Sequence, residues 1–301
     1  MPSFSTSDGT QIFFTDSGQG RAVVLLHGWP LSSAMWERQA MLLAQQGYRV
    51  ICPDRRGFGR SDQPWLGYGY DRLADDLQEL LEHLDLHEVT LVGFSMASGE
   101  VIRHQARHGH ARVAQVVLMA GTAPLLAQRP DNPEGVATAV LDGLLAALAH
   151  DRPGVLKQLA DDFLGGDGAP PPSDVAHQWY MAMALQASAR ATSEAARSWF
   201  NTDLRADLAR IKVPTLVMHG GADASVPATL SGRVSAAGIA GARYIEYPQA
   251  GHALVISRRA QVEADLLQFL EEWTAGATPA ALQGNRAGLR PARPESAGFP
   301  A

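Results

Sequence analysis

Two stretches of this chain, Val23-Val24-Leu25-Leu26 and Val116-Val117-Leu118-Met119, are apolar without a break. A strand with one wet face alternates apolar and polar residues. An unbroken run belongs to a strand covered on both faces, as in a parallel sheet between helical layers. These runs sit within Ala22–Leu26 and Gln115–Met119. Similar short runs occur at Gln11–Thr15, Tyr48–Cys52, Val89–Val92, Thr215–Met218 and Arg243–Tyr247. Helical periods separate them. Leu73, Leu77, Leu80, Leu81 and Leu84 share one face of a helix, with Asp75, Asp76, Glu79 and Glu82 expected on the wet side. Val262, Leu266, Leu267 and Leu270 mark a last helix ending near Trp273. Strands alternating with helices predict an α/β fold with a mostly parallel central sheet and right-handed crossovers.

The rhythm breaks between about Pro124 and Leu208, where Val136–Ala149, Val155–Phe163 and Val175–Ala195 favour helix and Pro170-Pro171-Pro172 interrupts. This stretch reads as a helical cap inserted at one edge of the sheet. The expected organisation is a single domain over 1–274, with core segments 1–123 and 209–274, a cap at 124–208, and a disordered tail at 275–301. Composition narrows the function. Lys and Arg number 25 against 31 Asp and Glu, a net charge of −6, which disfavours nucleic acid and anionic membranes as partners. Cys52 is the only cysteine, so an internal disulfide and a multi-cysteine metal site are excluded. The opening residues MPSFSTSDGTQ lack an apolar signal core, and no apolar stretch approaches the ~18 residues of a membrane span. A cytoplasmic protein is expected; homo-oligomerisation is left open.

The sharpest local signal is Gly93-Phe94-Ser95-Met96-Ala97, directly after the apolar run Val89–Val92 and before a helix-compatible segment. A strand that turns this tightly into a helix needs small residues on both sides of the serine. The turn lifts the Ser95 hydroxyl above the sheet edge, beside a helix N-terminus. Such a hydroxyl needs a base, and the base needs an orienting carboxylate. His252, after Arg243–Tyr247, is the candidate base. Asp223, past Thr215–Met218, is the candidate carboxylate. The order Ser, Asp, His, each on a loop after a strand, suits this sheet type. Candidate oxyanion donors are the backbone N–H groups of Trp29, in His27-Gly28-Trp29-Pro30, and of Met96. His27 is expected to brace its turn, not to react. The pairs His83/His87 and His104/His108 have metal-ligand spacing but read as solvated or locally bonded helix residues. His219 reads as buried and hydrogen-bonded, Cys52 as inert core, and the Asp54–Ser61 loop as structured by Asp54 or Arg56 pairing locally. Phe163, Trp199 and Leu126 are candidate walls of a small apolar pocket.

The motifs His27-Gly28-Trp29-Pro30-Leu31, Asp54-Arg55-Arg56-Gly57-Phe58-Gly59-Arg60-Ser61 and Gly93-Phe94-Ser95-Met96 through Gly99-Glu100 resemble those of the α/β-hydrolase superfamily. More narrowly, the chain is similar over residues 3–274 to the cofactor-free bacterial haloperoxidases and the aryl esterases. The resemblance implies a triad of Ser95, Asp223 and His252, an oxyanion hole from the Trp29 and Met96 amides, and a helical cap over an apolar pocket. It also implies hydrolysis of small or aryl carboxylic esters without metal or cofactor. Hydrogen peroxide could replace water, giving a peracid that oxidises halide. Pro30 would then turn the Trp29 carbonyl inward as an acceptor for peroxide. Two departures matter. The family usually has Gly-Gly after the elbow Met, where this chain has Ala97-Ser98, expected to tighten the helix–strand contact and shift Ser95 slightly. The loop before Asp223 is usually more acidic than Gly221-Ala222. Haloalkane dehalogenases and epoxide hydrolases share the His-Gly-Trp-Pro turn but place Asp at the elbow, so Ser95 argues against both. A C–C bond hydrolase or lactonase keeps the serine and stays open, as does a non-catalytic ligand-binding member of the fold.

Overall fold

The computed structural model describes residues 2–165 and 173–272. Pro170-Pro171-Pro172 and the segment 275–301 lie outside the described residues. The two unbroken apolar runs are interior strands, with Val23, Val24, Leu25, Val116 and Val117 fully buried. In chain order the elements are β1 (Ser3–Ser5), β2 (Gln11–Gly18), β3 (Arg21–Leu26), a 3-10 turn (Ser33–Trp36), α1 (Glu37–Gln45), β4 (Tyr48–Pro53) and α2 (Tyr70–His83). There follow β5 (Val89–Phe94), α3 (Met96–His108), β6 (Val113–Met119), α4 (Thr138–Gly165), α5 (Asp174–Gln186), α6 (Ala189–Asn201) and α7 (Arg205–Leu208). The chain then runs through β7 (Thr215–Gly220), α8 (Gly232–Gly238), β8 (Arg243–Tyr247), α9 (Leu254–Ser257) and α10 (Arg259–Glu271).

The strands form one sheet in the order β1-β2-β4-β3-β5-β6-β7-β8. β1 and β2 pair antiparallel, as do β2 and β4; every other pairing is parallel. Alternation within each strand divides the core. Val24 and Leu26 of β3, with Val116 and Leu118 of β6, pack toward α2 and α3. Val23 and Leu25, with Val117 and Met119, pack on the other face toward α1 and α10. Burial on both faces is what the unbroken runs require.

All seven expected strands are present. β1 is additional; it is three residues long and buries only Phe4, too little to leave a pattern in the sequence. On α2 the leucines at 73, 77, 80 and 81 are buried as their spacing requires. Asp76 departs from expectation: it is buried, not on the wet side. Its carboxylate accepts from Arg56 Nη2 at 2.6 Å and Arg72 Nε at 2.9 Å, so two guanidinium groups replace water. Arg56 therefore pairs across the fold with Asp76 and Asp8, while Asp54 pairs locally with Arg60 at 3.3 Å.

The chain between β6 and β7 carries α4 to α7. α4 bends at Asp151, whose φ of −147° and ψ of 77° leave the helix, just before Pro153. Asp151 Oδ1 accepts from the Gly154 N–H at 3.0 Å and restarts the helix. The expected single run Val175–Ala195 is two helices. Ser173 caps α5 through the Ala176 N–H at 3.2 Å, and Ser188 caps α6 through the Ala191 N–H at 2.9 Å.

Candidate active site

β5 turns into α3 at Ser95, whose φ is 55° and ψ is −122°. A non-glycine residue in this region costs on the order of 1–3 kcal/mol and persists only where its surroundings enforce it. Here the Ser95 N–H donates to the Met119 carbonyl at 2.9 Å, and the Ser95 carbonyl accepts from Ser98 N–H at 3.0 Å. Gly93 permits the turn: a Cβ there would lie 2.6 Å from the Ala97 carbonyl oxygen. Ser98, where similar elbows carry glycine, donates its hydroxyl to the Gly93 carbonyl at 2.9 Å. This bond ties the first turn of the helix to the strand it leaves.

β7 and β8 end side by side, and their loops are zipped by Gly221 N–H to Tyr247 O at 2.8 Å and Ala222 N–H to Ala250 O at 3.0 Å. That pairing brings Asp223 and His252 together. His252 Nδ1 lies 2.7 Å from Asp223 Oδ2, and His252 Nε2 lies 2.9 Å from Ser95 Oγ. The other carboxylate oxygen, Oδ1, accepts from the Ser225 N–H at 3.0 Å and the Val226 N–H at 2.8 Å. Burial alone would raise the Asp223 pKa. The charge of His252 and the bonds from His219, His252 and Val226 outweigh burial and hold the carboxyl well below the usual carboxylate range. The carboxylate is thus ionised, and the imidazole is oriented with one nitrogen toward it and the other toward the serine.

The His27-Gly28-Trp29 turn packs directly on this elbow: a Cβ at Gly28 would stand 2.7 Å from the Phe94 ring and 3.2 Å from Ser95 Cβ. Among the described residues, neither the Trp29 N–H nor the Met96 N–H has a protein acceptor. Trp29 is anchored by its indole, which donates to the Thr192 carbonyl on α6 at 2.9 Å. His27 is buried and braced as expected. The Arg55 N–H donates to its Nε2 at 2.9 Å, and its Nδ1 is 2.9 Å from the Gly28 carbonyl.

Ser95 and His252 open onto a cavity of about 260 Å³ between the strand ends and α4, α5 and α6. Phe163 and Trp199 line it. Leu126 does not; it is buried in a stretch whose backbone bonds to Val136, the Leu126 carbonyl accepting at 2.7 Å. Leu156, Leu159 and Tyr180 line the wall and were not singled out from the sequence. Residues 156, 159 and 163 share a helical face, and that face lines the cavity. No Lys, Arg, Asp or Glu stands in the described wall.

The remaining candidates lie elsewhere. His104 is buried, with Nε2 3.0 Å from Gln78 Oε1. Its pKa is lowered to about 3 by burial and by the neighbouring His108. His108 pairs with Asp75 at 2.7 Å, and the His83 ring stacks on Phe4. His219 is buried, with Nε2 2.9 Å from the Val226 carbonyl. Burial pushes the Cys52 thiol up to about 12, which leaves it protonated and unreactive.

Residues 21–258 match the family model described as the alpha/beta hydrolase fold. The chain belongs to the α/β-hydrolase family. It is 41% identical over 274 residues to a non-heme haloperoxidase of Rhodococcus erythropolis, covering 90% of this chain and all of that one. It is 34% identical over 271 residues to a bifunctional esterase/perhydrolase of Acinetobacter calcoaceticus, covering 88% of this chain and 98% of that protein. Among solved structures, an esterase from Exiguobacterium antarcticum superposes with a TM-score of 0.85 at 34% identity, covering 89% of this chain and 98% of the other. This α/β hydrolase is accordingly an enzyme of the hydrolase and non-heme haloperoxidase type, acting on small molecules. Among its described residues no helix is long and apolar enough to cross a membrane.

Proposed function

We propose that this α/β hydrolase cleaves small or aryl carboxylic esters through an acyl-enzyme on Ser95. His252 takes the Ser95 proton as the hydroxyl attacks the ester carbonyl, and Asp223 holds the imidazole in the required tautomer and stabilises the imidazolium. The Trp29 and Met96 amides receive the oxyanion, the latter with the N-terminus of α3 behind it. One such donor is worth about 3–4 kcal/mol of barrier. His252 returns the proton to the leaving alkoxide or phenoxide, and water then releases the acid. In a second half-reaction, hydrogen peroxide replaces water and the acyl group leaves as a peracid. The peracid transfers oxygen to bromide or chloride in solution, giving the carboxylate and hypohalous acid. No metal takes part in this route.

The observation that carries the reading is the line Asp223–His252–Ser95, at 2.7 and 2.9 Å, ending on a strained serine in the wall of an uncharged cavity. Release of p-nitrophenol from p-nitrophenyl acetate tests it. The expected result is turnover by the wild type that Ser95→Ala abolishes. A wild type no faster than Ser95→Ala would favour a ligand-binding protein. Bromination of a dye in hydrogen peroxide, acetate and bromide reads the second half-reaction, and it too should vanish in Ser95→Ala.

A further inference from the structure

Beneath the Trp29 turn lies a buried charged pair that the chemistry above does not use. Glu100 sits on α3, five residues after Ser95, and is buried. Its Oε2 accepts from Arg55 Nε at 2.8 Å and from Arg55 Nη2 at 2.7 Å. Arg55, just past β4, is buried too. The same Nη2 also donates to the His27 carbonyl at 2.9 Å, while the Arg55 backbone N–H donates to His27 Nε2 at 2.9 Å.

The protonation of His27 follows from these bonds. Burial, and then the charge of Arg55, lower its pKa to about 3, so the ring is neutral. Nε2 accepts from the Arg55 N–H, so the single ring proton sits on Nδ1. Nδ1–H donates to the Gly28 carbonyl at 2.9 Å, and the Leu31 N–H donates to the same oxygen at 3.0 Å. That carbonyl belongs to the Gly28–Trp29 peptide unit, which is trans. In a trans peptide the C=O and N–H are fixed antiparallel in one plane. Whatever grips the Gly28 oxygen therefore aims the Trp29 N–H. Two donors on the carbonyl also polarise the unit and strengthen its N–H as a donor.

We propose that Glu100, acting through Arg55 and His27, is a positioning residue that aims the Trp29 amide at the oxyanion. The inference rests on the acyl-enzyme reading above, and it gives a buried ion pair a task that stability alone does not require. Pairs of this kind are commonly replaceable by apolar residues without loss of stability. The relay also links the two oxyanion donors. Glu100 rides on the helix that begins at Met96, so the Trp29 turn is indexed to the helix that carries the other amide.

The test uses Glu100→Gln in the full chain, with Ser95→Ala beside it and p-nitrophenyl acetate as substrate. Active sites are counted from the p-nitrophenol released by diethyl p-nitrophenyl phosphate, so loss of folded protein does not enter kcat. Deleting an oxyanion donor outright costs about 10²–10³ in kcat; misaiming one should cost about ten- to hundredfold. KM should stay within about twofold, because ground-state binding is untouched. Inhibition by an aryl trifluoromethyl ketone, whose serine adduct carries an oxyanion, should weaken by the same factor as kcat. Inhibition by benzyl alcohol should not change. If the variant melts lower but keeps its kcat per active site and its ketone affinity, the pair is structural and the proposal is wrong. If Glu100→Gln does not fold, Arg55→Lys decides by the same ratios, since it keeps the charge opposite Glu100 and loses the fork to the His27 carbonyl. A wild type no faster than Ser95→Ala would instead overturn the acyl-enzyme reading, and this inference with it.

Discussion

The strand-end loops and the helical insertion build opposite halves of the same cavity, and they are made differently. The groups proposed to react sit on loops at strand ends: Trp29 after β3, Ser95 after β5, Asp223 after β7 and His252 after β8. Ser95 and the Asp223 loop are fixed by backbone hydrogen bonds to a neighbouring strand or loop, His252 by its bond to Asp223, and Trp29 by its indole bond to α6. The roof comes from α4, α5 and α6 and is apolar: Leu156, Leu159, Phe163, Tyr180 and Trp199. The sheet fixes the register of its groups because parallel strands buried on both faces cannot slip without exposing their apolar side chains. The insertion packs by helix faces and tolerates a bend at Asp151. On the proposed acyl-enzyme route, reactivity belongs to the strand-end half and selection of the bound group to the helical half.

That division breaks most visibly at Asp223. Asp223→Asn should lower kcat for p-nitrophenyl acetate by about 10⁴, since the amide favours the wrong imidazole tautomer, with KM within about twofold. Steady-state kinetics with active-site titration reads it; a loss below tenfold would mean that His252 is oriented by something other than this carboxylate. The same variant carries a smaller effect on stability. The carboxyl of Asp223 is held below its ordinary pKa by His252 and the Val226 N–H. A depressed pKa stabilises the folded state above the unfolded value, near 3.9, and that contribution is lost as pH falls through and below it. Between about pH 6 and pH 3 the wild type should therefore lose about 1 kcal/mol more stability than Asp223→Asn. Urea unfolding at the two pH values measures the difference, and parallel declines would show that the carboxylate is not specially stabilised.

The two halves were also unequally legible in the sequence. Strand-end groups announce themselves because an apolar run fixes where the strand stops, and a Gly-x-Ser, an Asp or a His just beyond it has few other reasons to be there. The Ser95 elbow is the clearest case, and Asp223 and His252 follow the same rule. The insertion gives no such register. Leu126 looked like a wall residue because it opens the segment, yet backbone pairing with Val136 withdraws it. Leu156 and Leu159 were invisible because a leucine facing a cavity and a leucine facing the core have the same spacing. Asp76 shows the limit inside the sheet half: helical period placed it beside Asp75 in water, and only the folded chain brings Arg56, 20 residues earlier in sequence, against it.

The smallest expected effect tests the roof. Phe163 is only partly buried and packs its ring against Phe94 at 6.3 Å, Tyr180 at 6.0 Å and His252 at 6.0 Å. It thus touches both the wall that would grip an aryl group and the imidazole that would move the proton. If the roof only selects, Phe163→Ala should raise KM for phenyl acetate by about tenfold, in line with one lost aromatic contact of about 1–1.5 kcal/mol, and leave kcat within about threefold. Short aliphatic esters, which do not fill the roof, should lose less than phenyl acetate. A fall in kcat of more than tenfold with KM unchanged would place Phe163 on the side of reactivity, holding the His252 ring edge-on against the serine. The helical insertion would then be part of the catalytic machinery as well as its selector.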